Sequence, residues 1–399
     1  MLTPEAELLL RVIGCDAGDD GLRQLMERPG FDWNRLIWLA EREKATSVVW
    51  GALRTVDGAA VPPERGRQLA RLASISDFRM LHHRDRLAEA LEELARNDIE
   101  VVLLKGAGLA ATVYGSFVQR PMYDLDLLVR ADQGRAAWDA LRQAGWTHDD
   151  AETPGDFYHE HHHFPPLDDP SGTGLAIEIH TAPWAGAVEL SAESIWNAAR
   201  PVEVAGHRAY TLDVNHQILH LAIHFSWAHM LRSAGWRTIR DLRQLVDASP
   251  VDWLAVVRLA QDTGGGTCCY WTFALARRLG AVPIPDAVLD ALRPPLPAVV
   301  LRGLERHFVG GMFDVGCARC PSLRMGRLLW STAIVHGALR RDTRRPWTRD
   351  AEWAVSAARH TPLSLGSRMR QHLAGLPVWA RYLQAVLTGR VSAQPPAAR

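Results

Sequence analysis

Two short apolar runs constrain what this chain folds into, namely IEVVLLKG at residues 99–106 and YDLDLLVR at residues 123–130. Both are typical of buried strands, and the first leads into a predicted helix over residues 108–114. The second run has two aspartates two residues apart, so both carboxylates project from one face of the strand. Such a pair is costly to bury unless positive charge lies between them. The runs therefore predict a small sheet with an acidic face.

A third carboxylate, Glu178, lies between two isoleucines in a further predicted strand near residues 174–181. Three convergent carboxylates can hold two divalent ions, and Mg²⁺ or Mn²⁺ prefers such oxygen ligands. We therefore predict that Asp124, Asp126 and Glu178 bind metal. The alternative is that the aspartates form a solvated turn and that Glu178 pairs with an arginine.

The residues that close the first strand are suited to bind phosphate. Lys105, Gly106 and Ala107 end the strand and open the helix, where backbone amides and the helix dipole favour an anion. Lys105 adds a point charge. Arg120, four residues before Asp124, is predicted to supply a bidentate phosphate contact.

Charge composition limits the function classes. The chain has 399 residues with 45 basic and 45 acidic side chains, and a balanced charge disfavours a dedicated duplex nucleic-acid binder. All but two of the basic residues are arginine. Lys44 lies in the polar stretch EREKAT and is predicted to be at the surface. Lys105 lies at the phosphate-binding turn, where an ammonium and a guanidinium are not interchangeable.

The pattern of apolar residues predicts four regions. Residues 1–98 form an N-terminal helical region, residues 99–212 an α/β core, residues 213–392 a C-terminal helical domain and residues 393–399 a flexible tail. Helices predicted in the C-terminal domain include residues 213–230, 236–248, 252–262, 267–280 and 377–388. No apolar run approaches the roughly 20 residues of a spanning helix, and the first residues lack the basic start of a secretory signal. We therefore expect a cytoplasmic protein with no membrane partner.

The order strand, Lys-Gly, helix, Tyr-Gly, followed by Arg-x-x-x-Asp-x-Asp-x-x-Val, resembles the DNA polymerase β-type nucleotidyltransferase superfamily. Within it, the chain is most similar to the branch of uncharacterised nucleotidyltransferases, which is related to abortive-infection toxin nucleotidyltransferases and is sometimes encoded beside lasso-peptide genes. The resemblance covers about residues 100–250. It implies an α+β fold in which a small mixed-sheet core is flanked by N-terminal and C-terminal helical regions.

The resemblance also implies roles for individual residues. Asp124 and Asp126 match the metal-binding pair, and Glu178 matches the third carboxylate in an Ile-Glu-Ile-His setting. Gly106 matches the nucleotide-binding turn. Ala107 departs from the pattern, because many relatives have serine there, and the departure removes a hydroxyl contact to phosphate.

Several other polar residues have two interpretations each. His180 shares a strand face with the third carboxylate and is predicted to support the metal ligands. Asp241 is either a structural partner of nearby arginines or, as the resemblance suggests, part of the active site. His216, His220 and His224 recur every four residues on one helix face, which indicates packing against the core or, alternatively, a zinc site.

Two further groups complete the candidate list. Alternating histidines are predicted to share one face of a strand over residues 158–165, either lining a polar cleft or facing substrate, with His162 pointing away. They are His159, His161 and His163. Cys317 and Cys320 form half of a zinc-knuckle pattern that no second pair completes.

A rival pattern overlaps the phosphate-binding turn. Residues 106–111 spell the dinucleotide fingerprint Gly-x-Gly-x-x-Ala after a strand. A ribose-binding acid, however, belongs at the end of the second strand, whereas Asp124 and Asp126 open an apolar run. No series of further strand–helix units follows either. The sequence therefore favours the nucleotidyltransferase interpretation.

The sequence predicts a metal-dependent nucleotidyltransferase that transfers a nucleoside monophosphate from a nucleoside triphosphate, with ATP favoured on general grounds. The expected acceptor is a hydroxyl or similar group on a small molecule, peptide or protein, and Glu178 or Asp126 would help to deprotonate it. The alternatives are a non-catalytic nucleotidyltransferase-like scaffold for a peptide or protein partner, and a toxin nucleotidyltransferase that acts on RNA.

Overall fold

A computed structural model of the chain describes residues 2–14, 20–56, 61–148, 162–184, 190, 192–313, 320, 322–338 and 365–389. The α-helices in these residues are α1 (Pro4–Arg11), α2 (Asp20–Met26), α3 (Trp33–Arg42), α4 (Thr46–Leu53), α5 (Pro63–Arg96), α6 (Lys105–Thr112), α7 (Gly134–Gln143), α8 (Ala192–Ala198), α9 (Val214–Ile223), α10 (Gly235–Ala248), α11 (Trp253–Asp262), α12 (Gly266–Gly280), α13 (Asp286–Leu292), α14 (Ala298–Phe313), α15 (Leu323–Ala338) and α16 (Leu365–Thr388). None of these helices is long and apolar enough to cross a bilayer.

The described strands form one mixed six-stranded sheet in the order β3-β4-β2-β1-β6-β5. They are β1 (Val102–Leu103), β2 (Asp124–Leu128), β3 (Leu167–Asp168), β4 (Ala176–His180), β5 (Arg200–Val204) and β6 (His207–Thr211). Strand β2 pairs antiparallel with β1 and parallel with β4, whereas β1 pairs parallel with β6. A mixed sheet between helical regions confirms the predicted α+β fold.

One face of the sheet packs against α5 and α7. Leu125 and Leu127 of β2, with Ile177 and Ile179 of β4, share a buried core with apolar side chains of these two helices. Because strand side chains alternate between faces, the residues between them project to the other side. That opposite face carries the acids.

Helices from both ends of the chain form one further core. Leu8 of α1 and Leu36 of α3 lie in the same buried cluster as Trp236 of α10 and Trp271 of α12. All four side chains are almost completely buried. Helices before and after the sheet therefore pack together in one core, which brings residues distant in sequence close to each other.

The predicted helix over residues 213–230 is interrupted. Helix α9 ends at Ile223, and a π-helical turn follows at His224–Ala228. The Ser226 hydroxyl donates a hydrogen bond to the Ala222 carbonyl at 2.5 Å, a contact that often bends helices. In contrast, α16 begins twelve residues earlier than the predicted start at Pro377, which lies inside the helix.

Candidate active site

The acidic face is created by the register between β2 and β4. Asp126 lies directly opposite Glu178, and Asp124 lies opposite Ala176. Neighbouring parallel strands are about 4.8 Å apart, so opposed side chains on the same face lie close together. The structure thus brings together two of the three predicted carboxylates, while the exposed Asp124 begins the strand at the edge of the group.

Asp126 is buried and has two positively charged or hydrogen-bonding partners. The Lys105 ammonium donates a hydrogen bond to Asp126 Oδ1 at 2.6 Å, and His180 Nε2 lies 3.0 Å from the same oxygen. Burial alone would raise the pKa of the Asp126 carboxyl, but Lys105 and His180 outweigh it and hold that pKa well below its usual range. Asp126 is therefore ionised, as a metal ligand requires.

His180 connects the two acids. Its Nε2 lies 3.0 Å from Asp126 and 3.3 Å from Glu178 Oε2. Burial opposes the protonated imidazole, yet the contacts with both carboxylates raise the pKa of His180. Its other ring nitrogen, Nδ1, is buried without a hydrogen-bond partner among the described residues. His180 thus has the position beside the ligands that the sequence predicted.

The donor set fits a divalent metal ion. Ligand atoms of Asp126, Glu178 and His180 all lie within 4.8 Å of one another, and no other such group of three occurs in the described part of the chain. Carboxylate oxygens suit Mg²⁺ and Mn²⁺, and an imidazole nitrogen adds a preference for a transition metal such as Mn²⁺. This group shares Asp126 and Glu178 with the predicted ligand set and adds His180. The prediction that Asp124 binds metal stays a prediction.

Lys105 begins α6 in a left-handed conformation, with φ of 46°. A left-handed backbone is unfavourable for residues other than glycine and is often retained at functional sites. Burial would lower the pKa of the ammonium, but Asp126, Glu178 and Asp124 raise it. Lys105 is therefore a partly buried cation that contacts a carboxylate, and its predicted phosphate contact stays a prediction.

The small residues after Lys105 allow α6 to pack closely on the sheet. A Cβ at Gly108 would lie 2.6 Å from both the Leu103 carbonyl and Thr211 Oγ1, so only glycine fits there. Ala107 is 1% exposed and packs in the apolar core of the sheet. An alanine in place of serine is thus explained by packing. Gly106, which lies near Met122, is likewise buried.

Arg120 has a different contact from the predicted one. Its Nε and Nη2 donate to the two carboxylate oxygens of Asp241, each at 2.7 Å, and Nη1 donates to the Pro121 carbonyl. The Tyr114 hydroxyl donates to Asp241 at 2.8 Å. These side chains are buried. Arg120 and Asp241 thus tie the segment before β2 to α10, which supports the structural interpretation of Asp241.

The histidine-rich helix faces Lys105. His220 is buried, contacts the Pro183 carbonyl at 3.1 Å and stacks on Trp184. Burial first, and then the nearby Lys105 charge, lower the pKa of His220 to about 3. The same two causes lower the pKa of His224. Neutral, buried imidazoles fit packing against the core, whereas His216 instead contacts Asp213 at 3.0 Å.

The strand of alternating histidines is described only from His162 onward, so His159 and His161 lie outside the described residues. His163 forms a bridge with His180, which places this segment beside β4. The rings of both His162 and His163 pack against His180, at 5.3 and 5.2 Å between centroids. The prediction that His162 points away is therefore wrong, because a single bridge does not impose the alternation of a regular strand.

Among the residues that the structure describes, neither of the two remaining motifs adds a ligand to this site. Cys317 lies outside the described residues, and Cys320 is partly buried with its thiol 3.4 Å from the Ser322 carbonyl. The dinucleotide fingerprint needs a parallel strand–helix–strand unit, whereas β1 and β2 are antiparallel. The sheet topology therefore disfavours that alternative.

The sequence did not predict two further cations near the acids, Lys44 and Arg237. Lys44 was predicted to be at the surface, but it is half-buried in the turn between α3 and α4, and its ammonium lies 3.9 Å from the centre of the Tyr123 ring. Arg237, on the first turn of α10, is also half-buried. Only the shared core of the two helical regions brings them together, so no local pattern identified them.

The family follows from the extent of its match. A family model described as an uncharacterised nucleotidyltransferase matches residues 29–281. The chain belongs to this nucleotidyltransferase family. The match includes the sheet, the acids, the histidine-rich helix and both Lys44 and Arg237. No curated protein and no solved structure gave a significant match.

Proposed function

We propose that this nucleotidyltransferase is metal-dependent and transfers a nucleoside monophosphate from a nucleoside triphosphate, with ATP favoured, to a hydroxyl or similar group on a small molecule, peptide or protein. The observation that carries the proposal is the juxtaposition of Asp126, Glu178 and His180 on one face of the sheet, in a chain that belongs to a nucleotidyltransferase family. We place the reaction in the cytoplasm, where nucleoside triphosphates are abundant.

Asp126 and Glu178 would hold Mg²⁺ or Mn²⁺, with His180 beside them and Asp124 at the edge. When bound, the metal supplies positive charge that stabilises the triphosphate and the developing charge on the reacting oxygens. Lys105, at the start of α6, holds positive charge next to the same acids. The amides at the start of α6, from Gly106 and Ala107, are suited to the phosphates.

Glu178 is the stronger candidate to accept the proton of the acceptor. Its side chain is 24% exposed, whereas Asp126 is 2% exposed and already contacts Lys105 and His180. In the transfer, the acceptor oxygen forms a bond to the α-phosphorus, and the bond from that phosphorus to the oxygen bridging to the β-phosphate breaks. Pyrophosphate leaves and the acceptor proton passes to the carboxylate.

The experiment is calorimetry of the protein with Mg²⁺ or Mn²⁺ and each nucleoside triphosphate, followed by turnover assays with labelled nucleotide. We expect binding of at least one triphosphate, and loss of turnover in Asp126→Asn. If no triphosphate binds, the non-catalytic scaffold becomes the better explanation. Incorporation of label into RNA would support the toxin alternative, and incorporation into peptide or protein would support the acceptor class proposed here.

A further inference from the structure

Two cations outside the predicted site lie beside Asp124. Lys44 packs on the Tyr123 ring, which directly precedes Asp124, and the Asp124 charge acts on both Lys44 and Arg237. Among the residues that the structure describes, no carboxylate lies within 4.0 Å of either cation, whereas Arg120 is fully paired with Asp241. Neither cation therefore forms an ion pair with a described carboxylate, although the Glu43 charge also acts on Arg237.

The pKa values of both cations are lowered. Burial, followed by the Arg237 charge, lowers the pKa of the Lys44 ammonium to about 7. Burial, followed by the Arg120 charge, lowers the pKa of Arg237. In addition, Nε of Arg237 is buried and has no hydrogen-bond partner in the described part of the chain. A buried guanidinium donor without an acceptor is rare and costs about 1–3 kcal/mol.

The backbone at Lys44 supports a role beyond packing. Lys44 follows the end of α3 with φ of 56°, the left-handed conformation that favours glycine or asparagine after a helix. A lysine there costs roughly 1–2 kcal/mol. The ammonium of this lysine lies over the Tyr123 ring. Side chains held in such a conformation beside a site often serve that site.

We propose that Lys44 and Arg237 bind the terminal phosphates of the nucleoside triphosphate on the Asp124 side of the acids. This inference rests on the proposed function. A triphosphate carries several negative charges, and phosphoryl-transfer sites surround them with lysine, arginine and metal. Arginine binds phosphate oxygens in bidentate fashion and lysine supplies a compact charge. The pair thus takes the role that the sequence had assigned to Arg120.

The two cations come from different helical regions of the chain. Lys44 comes from the N-terminal helices and Arg237 from α10, and these elements share one buried core above the sheet. Glu43 and Asp124 both offset the charge of Arg237, and Asp124 is the acid that acts most strongly on Lys44. If Asp124 binds a metal ion, its charge no longer offsets Lys44 and Arg237, and the triphosphate supplies negative charge in its place.

The test uses two variants and one control in the full chain. Lys44→Asn keeps a residue that tolerates the left-handed backbone, and Arg237→Gln keeps a polar side chain but removes the charge. Arg243→Gln on the same helix is the control, because its guanidinium pairs with Asp247 away from the acids. Calorimetry measures binding of a nucleoside triphosphate, the matching monophosphate and inorganic tripolyphosphate, each with Mg²⁺.

We expect each variant to weaken binding of the triphosphate and of tripolyphosphate by about 10-fold or more, since charge-assisted hydrogen bonds contribute roughly 1.5–3 kcal/mol. Binding of the monophosphate should change by less than about 3-fold, and the control should bind all three as the wild type does. Lys44→Asn should melt at or above the wild-type temperature, which separates loss of binding from loss of folding.

Each other outcome has a definite meaning. If the wild type binds the triphosphate and both variants bind it equally well, the inference is overturned while the proposed function stands. Equal weakening of monophosphate and triphosphate also overturns it. If the wild type binds no triphosphate, the proposed function fails, and the tripolyphosphate measurement then tests the inference. Binding of tripolyphosphate by the wild type that is lost in both variants supports an anion site at Lys44 and Arg237. If the wild type does not bind tripolyphosphate either, the inference is overturned.

Discussion

Asp126 and Glu178 lie directly opposite each other in the parallel ladder between β2 and β4, and His180 Nε2 contacts both carboxylates. Two carboxylates so close together on one sheet face are stable only with positive charge nearby. Lys105 supplies that charge in this structure, and His180 contacts both carboxylates. The same arrangement is what a divalent ion would bind.

Asp126→Asn should reduce turnover by about 100-fold or more, because it removes a charged ligand from the centre of the acidic group. Turnover of labelled triphosphate at saturating Mg²⁺ measures the effect. Asp168→Asn is the matched control, since Asp168 is an exposed carboxylate on β3 of the same sheet. If Asp126→Asn turns over nucleotide at the wild-type rate, the acids have no catalytic role.

Lys105→Arg should lower kcat/KM by about 10-fold to 100-fold without unfolding the protein. The cavity beside Lys105 is about 10 Å³ and is lined by Leu109 and His220, so it has no room for the larger guanidinium. Steady-state kinetics and a melting curve test this together. If Lys105→Arg turns over nucleotide normally, a lysine at this position is not required.

Asp241→Asn should destabilise the protein by about 3–5 kcal/mol, because it leaves the buried Arg120 guanidinium without its counterion. Tyr114→Phe removes one hydrogen bond to Asp241 and should cost only about 1 kcal/mol. Urea denaturation measures both. A stable Asp241→Asn variant with a raised KM for nucleotide would instead support the predicted phosphate contact of Arg120.

Gly108→Ala should destabilise the protein by about 1–3 kcal/mol, because the added Cβ would lie 2.6 Å from the Leu103 carbonyl and from Thr211 Oγ1. Gly51→Ala is the matched control in α4, where a Cβ meets open space, and it should stabilise by about 0.5–1 kcal/mol. Equal effects of the two substitutions in a thermal melt would argue against close packing of α6 on the sheet.

Stability should fall as the pH drops from 7 to 5. Burial lowers the pKa of His83 and His307 to about 4 and, with the Lys105 charge, that of His220 to about 3. The unfolded chain takes up these protons near pH 6.5 and the folded chain does not. Each such histidine therefore costs about 1.4 kcal/mol per pH unit below 6.5.

His180 acts in the opposite direction. Its contacts with Asp126 and Glu178 outweigh burial and raise its pKa, so the stability that it contributes is present below pH 6.5 and is lost as the pH rises through its folded value. It thus offsets the effect of one of the histidines whose pKa is lowered by burial. The urea midpoint of the wild type should fall from pH 7.5 to 6.5 to 5.5, and the fall should be smaller in His83→Leu. His207→Leu on β6 is the control, and a flat profile would contradict the prediction.

Much of the helical structure was readable from local patterns. Predicted helices at residues 236–248, 252–262 and 267–280 match α10, α11 and α12 to within one residue. Apolar periodicity suffices there because each helix buries one continuous face. The π-helical turn after Ile223 was missed, because it depends on a side-chain contact to the backbone and not on periodicity.

The sequence by itself determined which side chains share a strand face. Alternation in Asp-Leu-Asp and Ile-Glu-Ile-His commits the acids and His180 to one side, because successive strand residues point to opposite faces. Only the tertiary structure decided that β2 and β4 are neighbours in register, and that Lys44 and Arg237, far apart in the chain, lie near Asp124. Pairing between strands and packing between helices depend on the whole core, and no local spacing encodes them.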